Sequence, residues 1–278
     1  MPTGELAISV LGPLSIKFGN VDVTPTAPKP RQVLALLLIN MPKVVPVDAL
    51  VRELWAENPP RSASTTLQTY VLQLRKTLAR GLQKDTSYVA ERLLMTRHGG
   101  YLLNPPLGTF DLQEFERLAA KGREAFHAGD YPRASALLRS ALQIWQGPML
   151  VDVQPGEILE AHMIRIEELR LSTLELRIRA DLALGLHHEV VHELTALTAL
   201  HPLHESFHAL LMIALCQSGR RPHALAVYKR IRNTLVSELG IEPSHELQNL
   251  HRAALTADSR LEQMPWTLMA TGQPALAS

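Results

Sequence analysis

The chain has 278 residues, enough for two compact domains at roughly 150 residues each. Hydrophobic residues make up 46% and charged residues 20%, which excludes a natively disordered chain, and apolar runs such as Val33–Ile39 fall far short of the ~20 residues that a bilayer span needs. The net charge of +1 conceals an asymmetry: residues 1–105 hold 12 Lys/Arg against 7 Asp/Glu, net +5, and residues 106–278 hold 16 against 20, net −4, so the first part suits a polyanionic partner and the second does not.

In the first part Leu6, Ile8 and Val10 alternate with polar or small residues, then Leu14, Ile16 and Phe18, then Val21-Asp22-Val23, with Gly12-Pro13 and Gly19-Asn20 between them. Period two broken by such pairs predicts a short antiparallel meander. Pro30 suits the first position of a helix whose residues Val33–Ile39 are apolar nearly all round, so that helix should be buried, ending at Asn40 and Pro42. A second helix is predicted from Val47 or Asp48 to Trp55, stopped by Asn58-Pro59-Pro60, and a third from Ser64 to Leu82 with Ser62 or Ser64 as its cap. Leu93–Met95, the turn His98-Gly99-Gly100 and Tyr101–Leu103 read as a β-hairpin. The prolines and glycine of Asn104–Gly108 mark a boundary, beyond which the pattern is helical near 111–128, 131–145, 157–184, 187–200, 203–218, 220–238 and 244–257. The expected organisation is therefore mainly α with small β: a winged helix-turn-helix over 1–104, a linker at 105–110, an all-α tetratricopeptide-like domain over 111–257 and a disordered tail over 258–278. The repeat reading rests on three similar turns, Ala128–Ala134, Leu184–Val190 and Ser218–Ala224, of which Gly185 and Gly219 lie 34 residues apart. Stacked helix pairs of this kind leave a concave surface that binds protein. The opening MPTGELAISV has neither a basic segment nor a long apolar one, and the single Cys216 lies in an apolar stretch, so a cytoplasmic, nucleoid-associated protein is expected.

The third helix carries the functional signal. At 100° per residue Leu67, Val71, Leu74 and Leu78 share one side, and Thr65, Thr69, Leu72, Gln73, Lys76 and Arg80 share the other. Hydroxyls, an amide and a lysine suit base edges, Leu72 suits a thymine methyl, and Arg80 suits phosphate. The plain alternative is the solvated face of an ordinary amphipathic helix. In Arg97-His98-Gly99-Gly100-Tyr101 the glycines should supply positive φ at a hairpin tip, placing Arg97 within reach of phosphate or a narrow minor groove. Lys29, Arg31 and Arg61, near helix ends, are further candidates for backbone phosphate, each also an ordinary surface charge when taken singly.

Pro30-Arg31-Gln32-Val33-Leu34-Ala35-Leu36-Leu37, Leu54-Trp55, Pro59–Ala63, Thr65–Leu78 and Arg97–Tyr101 resemble the OmpR-type winged helix of the SARP family, the Streptomyces antibiotic regulatory proteins. Phe110-Asp111-Leu112, Trp145–Leu150, His201–Glu205, Gly219-Arg220-Arg221 and Glu238–Pro243 resemble that family's bacterial transcriptional activation domain. The resemblance implies a transcriptional activator of secondary-metabolite (antibiotic) genes that needs no cofactor. It would bind direct repeats of double-stranded DNA as a homodimer on DNA and contact RNA polymerase and its sigma factor. It also implies that Ser64–Leu82 is the recognition helix, that Arg75 and Lys76 contact DNA, that Arg97–Tyr101 is the wing, and that the Trp55 indole N–H meets phosphate unless it is simply packed. Two departures stand out. Gly99 occupies a place where such wings often carry a threonine, which removes a hydroxyl contact, and Pro46 occupies the place of a Ser/Thr cap, a role that then falls to Asp48.

Two rival readings remain. His188-Glu189-Val190-Val191-His192 fits H-E-x-x-H, the helical zinc motif of metalloproteases. The extended form of that motif needs glycine at Thr195 and histidine at Thr198, and Glu205 stands only 13 residues past His192 where a glutamate ligand is expected ~20 on. His204 and His208 are likewise four apart, and in a chain with 12 histidines neither pair predicts a metal. No P-loop, G-x-S-x-G, CxxC or post-strand G-x-G-x-x-G occurs, so no enzyme is expected. The second rival is a scaffold whose winged helix binds protein, against which the net +5 of the first part weighs.

Overall fold

The computed structural model describes residues 6–105 and 108–256; the predicted tail at 258–278 lies outside the described residues. The meander forms as patterned: β1 (Leu6–Ser9), β2 (Ser15–Phe18) and β3 (Val21–Asp22) pair antiparallel, with Ile8 opposite Ile16. Next come α1 (Pro28–Ile39), β4 (Val44–Pro46), α2 (Val47–Trp55), α3 (Ala63–Leu82), α4 (Thr86–Arg92), β5 (Leu94–Arg97), β6 (Gly100–Leu103) and β7 (Gly108–Phe110). β5 and β6 are the predicted hairpin, and β4 pairs antiparallel with the other edge of β6. β7 falls in the stretch expected as a linker, yet it extends the first sheet in the order β3-β2-β1-β7, parallel to β1. Gly108 permits that approach, since a Cβ there would lie 2.2 Å from the Leu6 carbonyl oxygen.

The first three helices each differ from the sequence reading in their start or cap, with a physical reason. α1 begins two residues early, with Pro28 following the extended Ala27. At α2 no side chain caps the helix; Asp48 stays in the first turn, where its charge favours the helix dipole, and the Val47 N–H is taken instead by the Gly99 carbonyl oxygen at 2.9 Å. At α3 Ser62 holds the cap position without a side-chain cap bond, and Ser64 lies inside the helix. The unforeseen α4 is closed by Asp85, whose carboxylate accepts from the Tyr88 N–H at 2.6 Å.

Three long helices follow, α5 (Asp111–His127), α6 (Tyr131–Gln143) and α7 (Glu157–Ala183), and packing divides the chain within them. One compact unit comprises residues 1–119 and 140–171, the other 120–139 and 172–278. The core of the first unit combines Leu34, Leu36, Leu50, Leu67, Leu74 and Leu94 with Phe115, Leu150, Leu159 and Ile166. Its polar joints are acidic side chains that accept from backbone N–H groups: Asp111 from Val10 and Leu11, Asp152 from Leu14, and the buried Glu53 from Gly156, Ile158 and Leu159. Burial pushes the Asp111 carboxyl above the usual range, against the pull of those amides.

In the second unit α8 (His187–Leu200), α9 (Glu205–Gln217), α10 (Arg221–Leu239) and α11 (His245–Leu255) pack in succession, α11 touching both α9 and α10. Gly129, Gly185 and Gly219 end the preceding helices at φ +77°, +81° and +72°, a left-handed conformation shared by the three similar turns. Asp181, fully buried, joins Arg177, Arg139 and Ser135, and Arg177 also meets Glu193, so these buried charges are paired. Cys216 is buried, as its apolar setting predicts. Among the described residues no helix is long and apolar enough to cross a membrane.

Candidate nucleic-acid interface

The periodicity of α3 is realised side by side: Leu67, Val71, Leu74 and Leu78 are buried, while Thr65, Thr69, Leu72, Gln73, Lys76 and Arg80 are exposed. Leu72 is 44% exposed, a large apolar side chain left in water in the middle of the polar face. Thr69 Oγ1 donates to the Thr65 carbonyl oxygen within the helix, and the side chains of Thr65, Gln73, Lys76 and Arg80 have no hydrogen-bond partner among the described residues. Gln68 is exposed beside them and belongs to the same face; at 100° per residue it lies 40° from Leu72, so the helical period alone could have found it. At the start of α3 Arg61 and Ser62 are exposed next to first-turn amides that a helix leaves without internal acceptors.

The wing departs from the sequence reading in one respect. Gly99 has φ +75° and supplies the turn, but Gly100 has no positive φ; it is required because a Cβ there would fall 2.3 Å from the Val45 carbonyl oxygen of β4. Arg97, His98 and Gly99 are exposed at the tip, with the Arg97 guanidinium 2.9 Å from the Met95 sulfur.

Three predicted phosphate contacts make bonds within the fold. Lys29 Nζ donates to the Leu54 carbonyl at 2.7 Å and to Gln32 Oε1 at 3.2 Å, and Arg31 binds the Pro25 carbonyl and pairs with Asp152. Arg75 donates from Nε to the Leu94 carbonyl at 3.0 Å and from Nη2 to Thr96 Oγ1 at 2.8 Å, and its partial burial lowers its pKa from the ordinary arginine value. Gln32 and Pro25 are local partners, but Leu54, Asp152 and Leu94 are 25, 121 and 19 residues distant in sequence, beyond the reach of any local pattern. Trp55 is half-buried and stacks on Tyr70 with ring centroids 6.4 Å apart. Of the cations predicted to meet DNA, Arg61, Lys76, Arg80 and Arg97 face outward.

On α8 His188, Glu189 and His192 are all exposed, and among the described residues no group of three or more His, Cys, Asp and Glu side chains could hold a metal ion. His204 stacks on Phe207 at 4.2 Å and lies 3.5 Å from Glu175, whereas His208 is buried with Nε2 3.1 Å from the Pro202 carbonyl oxygen, so this pair does not converge on a common ligand.

Comparison with known proteins agrees with this architecture. The family described as transcriptional regulatory protein, C terminal, matches residues 22–103, and the bacterial transcriptional activator domain matches residues 110–255. Regulatory protein DnrI of Streptomyces peucetius is 45% identical over 272 residues, covering 98% of this chain and 100% of DnrI. Regulatory protein AfsR of Streptomyces coelicolor is 38% identical over 277 residues, 99% of this chain but 26% of AfsR. A solved structure of Mycobacterium tuberculosis EmbR in complex with a low affinity phosphopeptide superposes with a TM-score of 0.85 at 34% identity, covering 96% of this chain and 69% of that one. With an OmpR-type DNA-binding domain and a bacterial transcriptional activator domain in this order, and relatives that match across nearly its whole length, the chain belongs to the SARP family of transcriptional regulators.

Proposed function

We propose that the chain activates transcription of secondary-metabolite (antibiotic) biosynthesis genes by binding direct repeats in their promoters and recruiting RNA polymerase through its sigma factor. The observation that carries this reading is the outward face of α3, exposed and, among the described residues, bonded internally only through the Thr69 hydroxyl, flanked by the wing. With α3 in the major groove, Thr65, Thr69, Gln73 and Lys76 meet base edges and Leu72 meets a thymine methyl. Arg61 with the first-turn amides, Arg80 and Arg97 take phosphate, and the wing lies along the adjacent minor groove. DNA reading is assigned to residues 1–104 and activation to 111–257, whose acidic balance repels DNA and leaves its surface for protein.

One recognition helix reads a handful of base pairs, and the four assigned contact cations neutralise too few phosphates for tight binding by one copy at physiological salt. Two copies on one operator follow, and a head-to-tail pair requires direct half-sites spaced by about one helical turn, ~10 to 11 base pairs. Footprinting on the promoters beside the protein's own gene tests this: direct repeats are expected, with cooperative binding lost when about five base pairs separate the half-sites further and partly restored by about ten. An inverted repeat, or indifference to the five-pair insertion, refutes the tandem arrangement.

A further inference from the structure

Arg75 lies at the seam between α3 and the wing. β6 is held on one side by β4 and on the other by β5, which leaves the outer edge of β5 as the open edge of the sheet. The Leu93 carbonyl accepts from the Asn104 N–H on the β6 side, and carbonyls alternate along a strand, so the Leu94 carbonyl turns outward to that edge. There it receives Arg75 Nε at 3.0 Å, while Nη2 of the same guanidinium reaches Thr96 Oγ1 at 2.8 Å. Both acceptors are on β5, two residues apart, and Thr96 is the immediate neighbour of Arg97. A planar guanidinium that spends two of its edges in this way is a rigid strut. On the β4 side the wing is supported by the Gly99 carbonyl on the Val47 N–H and the close passage of Gly100 against Val45.

Resting on the DNA-binding reading, we propose that Arg75 is a positioning residue: its two bonds to β5 fix the angle between α3 and the wing, and so set where Arg97 reaches the phosphates relative to the side chains that read bases. Arg75 itself then touches no phosphate. Lysine cannot replace it, because a single ammonium at the end of a flexible stem keeps the charge but not the two-edged geometry. Thr96 shares the role, although its hydroxyl faces no DNA in this arrangement.

The test uses the full chain and a duplex selected by the wild-type protein from a randomised pool, with binding titrated at several salt concentrations. Each phosphate contact contributes about 0.9 to the slope of log K against log salt. Arg97→Ala is expected to reduce that slope by about 0.9, and Arg75→Lys, Thr96→Val and the double variant Arg75→Lys/Arg97→Ala by the same amount, because all remove the one Arg97 contact. Affinity falls about tenfold in each, without adding in the double variant. Thr96→Val alters one exposed hydroxyl and keeps the fold, so a collapse of Arg75→Lys does not void the experiment. If Thr96→Val binds as wild type, the positioning role is refuted; if Arg75→Ala and Arg97→Ala together reduce the slope by twice the single value, Arg75 is a direct phosphate contact and the role is refuted likewise. Failure of the wild-type protein to select any duplex would overturn the DNA-binding reading itself, which separates the two failures.

Discussion

Replacing Glu53 by alanine should unfold the first unit well before the second. The carboxylate is buried on α2 and accepts from the backbone N–H groups of Gly156 at 2.6 Å, Ile158 at 3.1 Å and Leu159 at 3.0 Å, and from Gln32 Nε2 at 2.9 Å. Alanine leaves three amides at the start of α7 without acceptors, that of Leu159 buried and those of Gly156 and Ile158 partly so, about 1 kcal/mol each at the low end of the range for buried unsatisfied groups. It also removes a negative charge from a helix N-terminus, worth ~1 kcal/mol, for a total of about 4 kcal/mol. In a unit of some 150 residues that corresponds to a fall in Tm of about 8 to 16 °C. Glu53→Gln keeps one acceptor oxygen but turns an NH2 group toward the amides, and should cost about half as much. Tryptophan fluorescence during urea unfolding is the assay, because Trp55 and Trp145 both lie in the first unit. An alanine variant within about 1 kcal/mol of wild type would mean that water reaches these amides and that the carboxylate is not their necessary partner.

Other expected outcomes are more direct. Gln73→Ala should cost about 1 to 3 kcal/mol on the selected operator and relax preference there, whereas Arg80→Ala should weaken specific and scrambled duplexes alike; equal losses for Gln73→Ala on both duplexes would remove it from the base readers. A fragment of residues 1–107 lacks β7, Asp111, Phe115, Leu150 and Leu159, so it should melt without a cooperative transition, and a sharp transition in circular dichroism would contradict that. Burial, ahead of the nearby charges of Arg230 and His204, lowers the pKa of His208 in the folded state. The unfolded chain therefore binds its proton more readily, so the second unit should hold its stability above pH ~6.5 and lose it as pH falls below that value. Melting His208→Gln across pH 7 to 5 should give a flatter dependence than wild type, and an unchanged slope would assign the effect to other groups.

The parts of the fold that were legible in the sequence are those with a local period. The outward and inward faces of α3 follow from 3.6 residues per turn, and α8 to α11 fall within two residues of their predicted bounds because Gly185, Gly219 and Gly240 stop the preceding helices. What was not legible depends on partners distant along the chain. β7 has three residues and is a strand only because β1 runs beside it a hundred residues earlier, and β4 exists through β6. Lys29, Arg31 and Arg75 look like free cations until Leu54, Asp152 and Leu94 are placed next to them. The same holds for Gly100, whose reason is the backbone of Val45 rather than its own φ.

The side chains on the outer face of α3 bear no structural duty beyond one hydroxyl bond within the helix. Substitutions at exposed positions of this kind usually change stability by less than about 0.5 kcal/mol. Thr65, Gln68, Thr69, Leu72, Gln73 and Lys76 can therefore drift together without bringing the protein near its unfolding threshold, while Arg75, Gly100 and Glu53 are pinned by their neighbours. A lineage built on this chain can acquire new operators by exchanging half a dozen residues on one helix, and a designer wishing to rewire a biosynthetic cluster can graft the same six positions and leave the rest of the chain untouched.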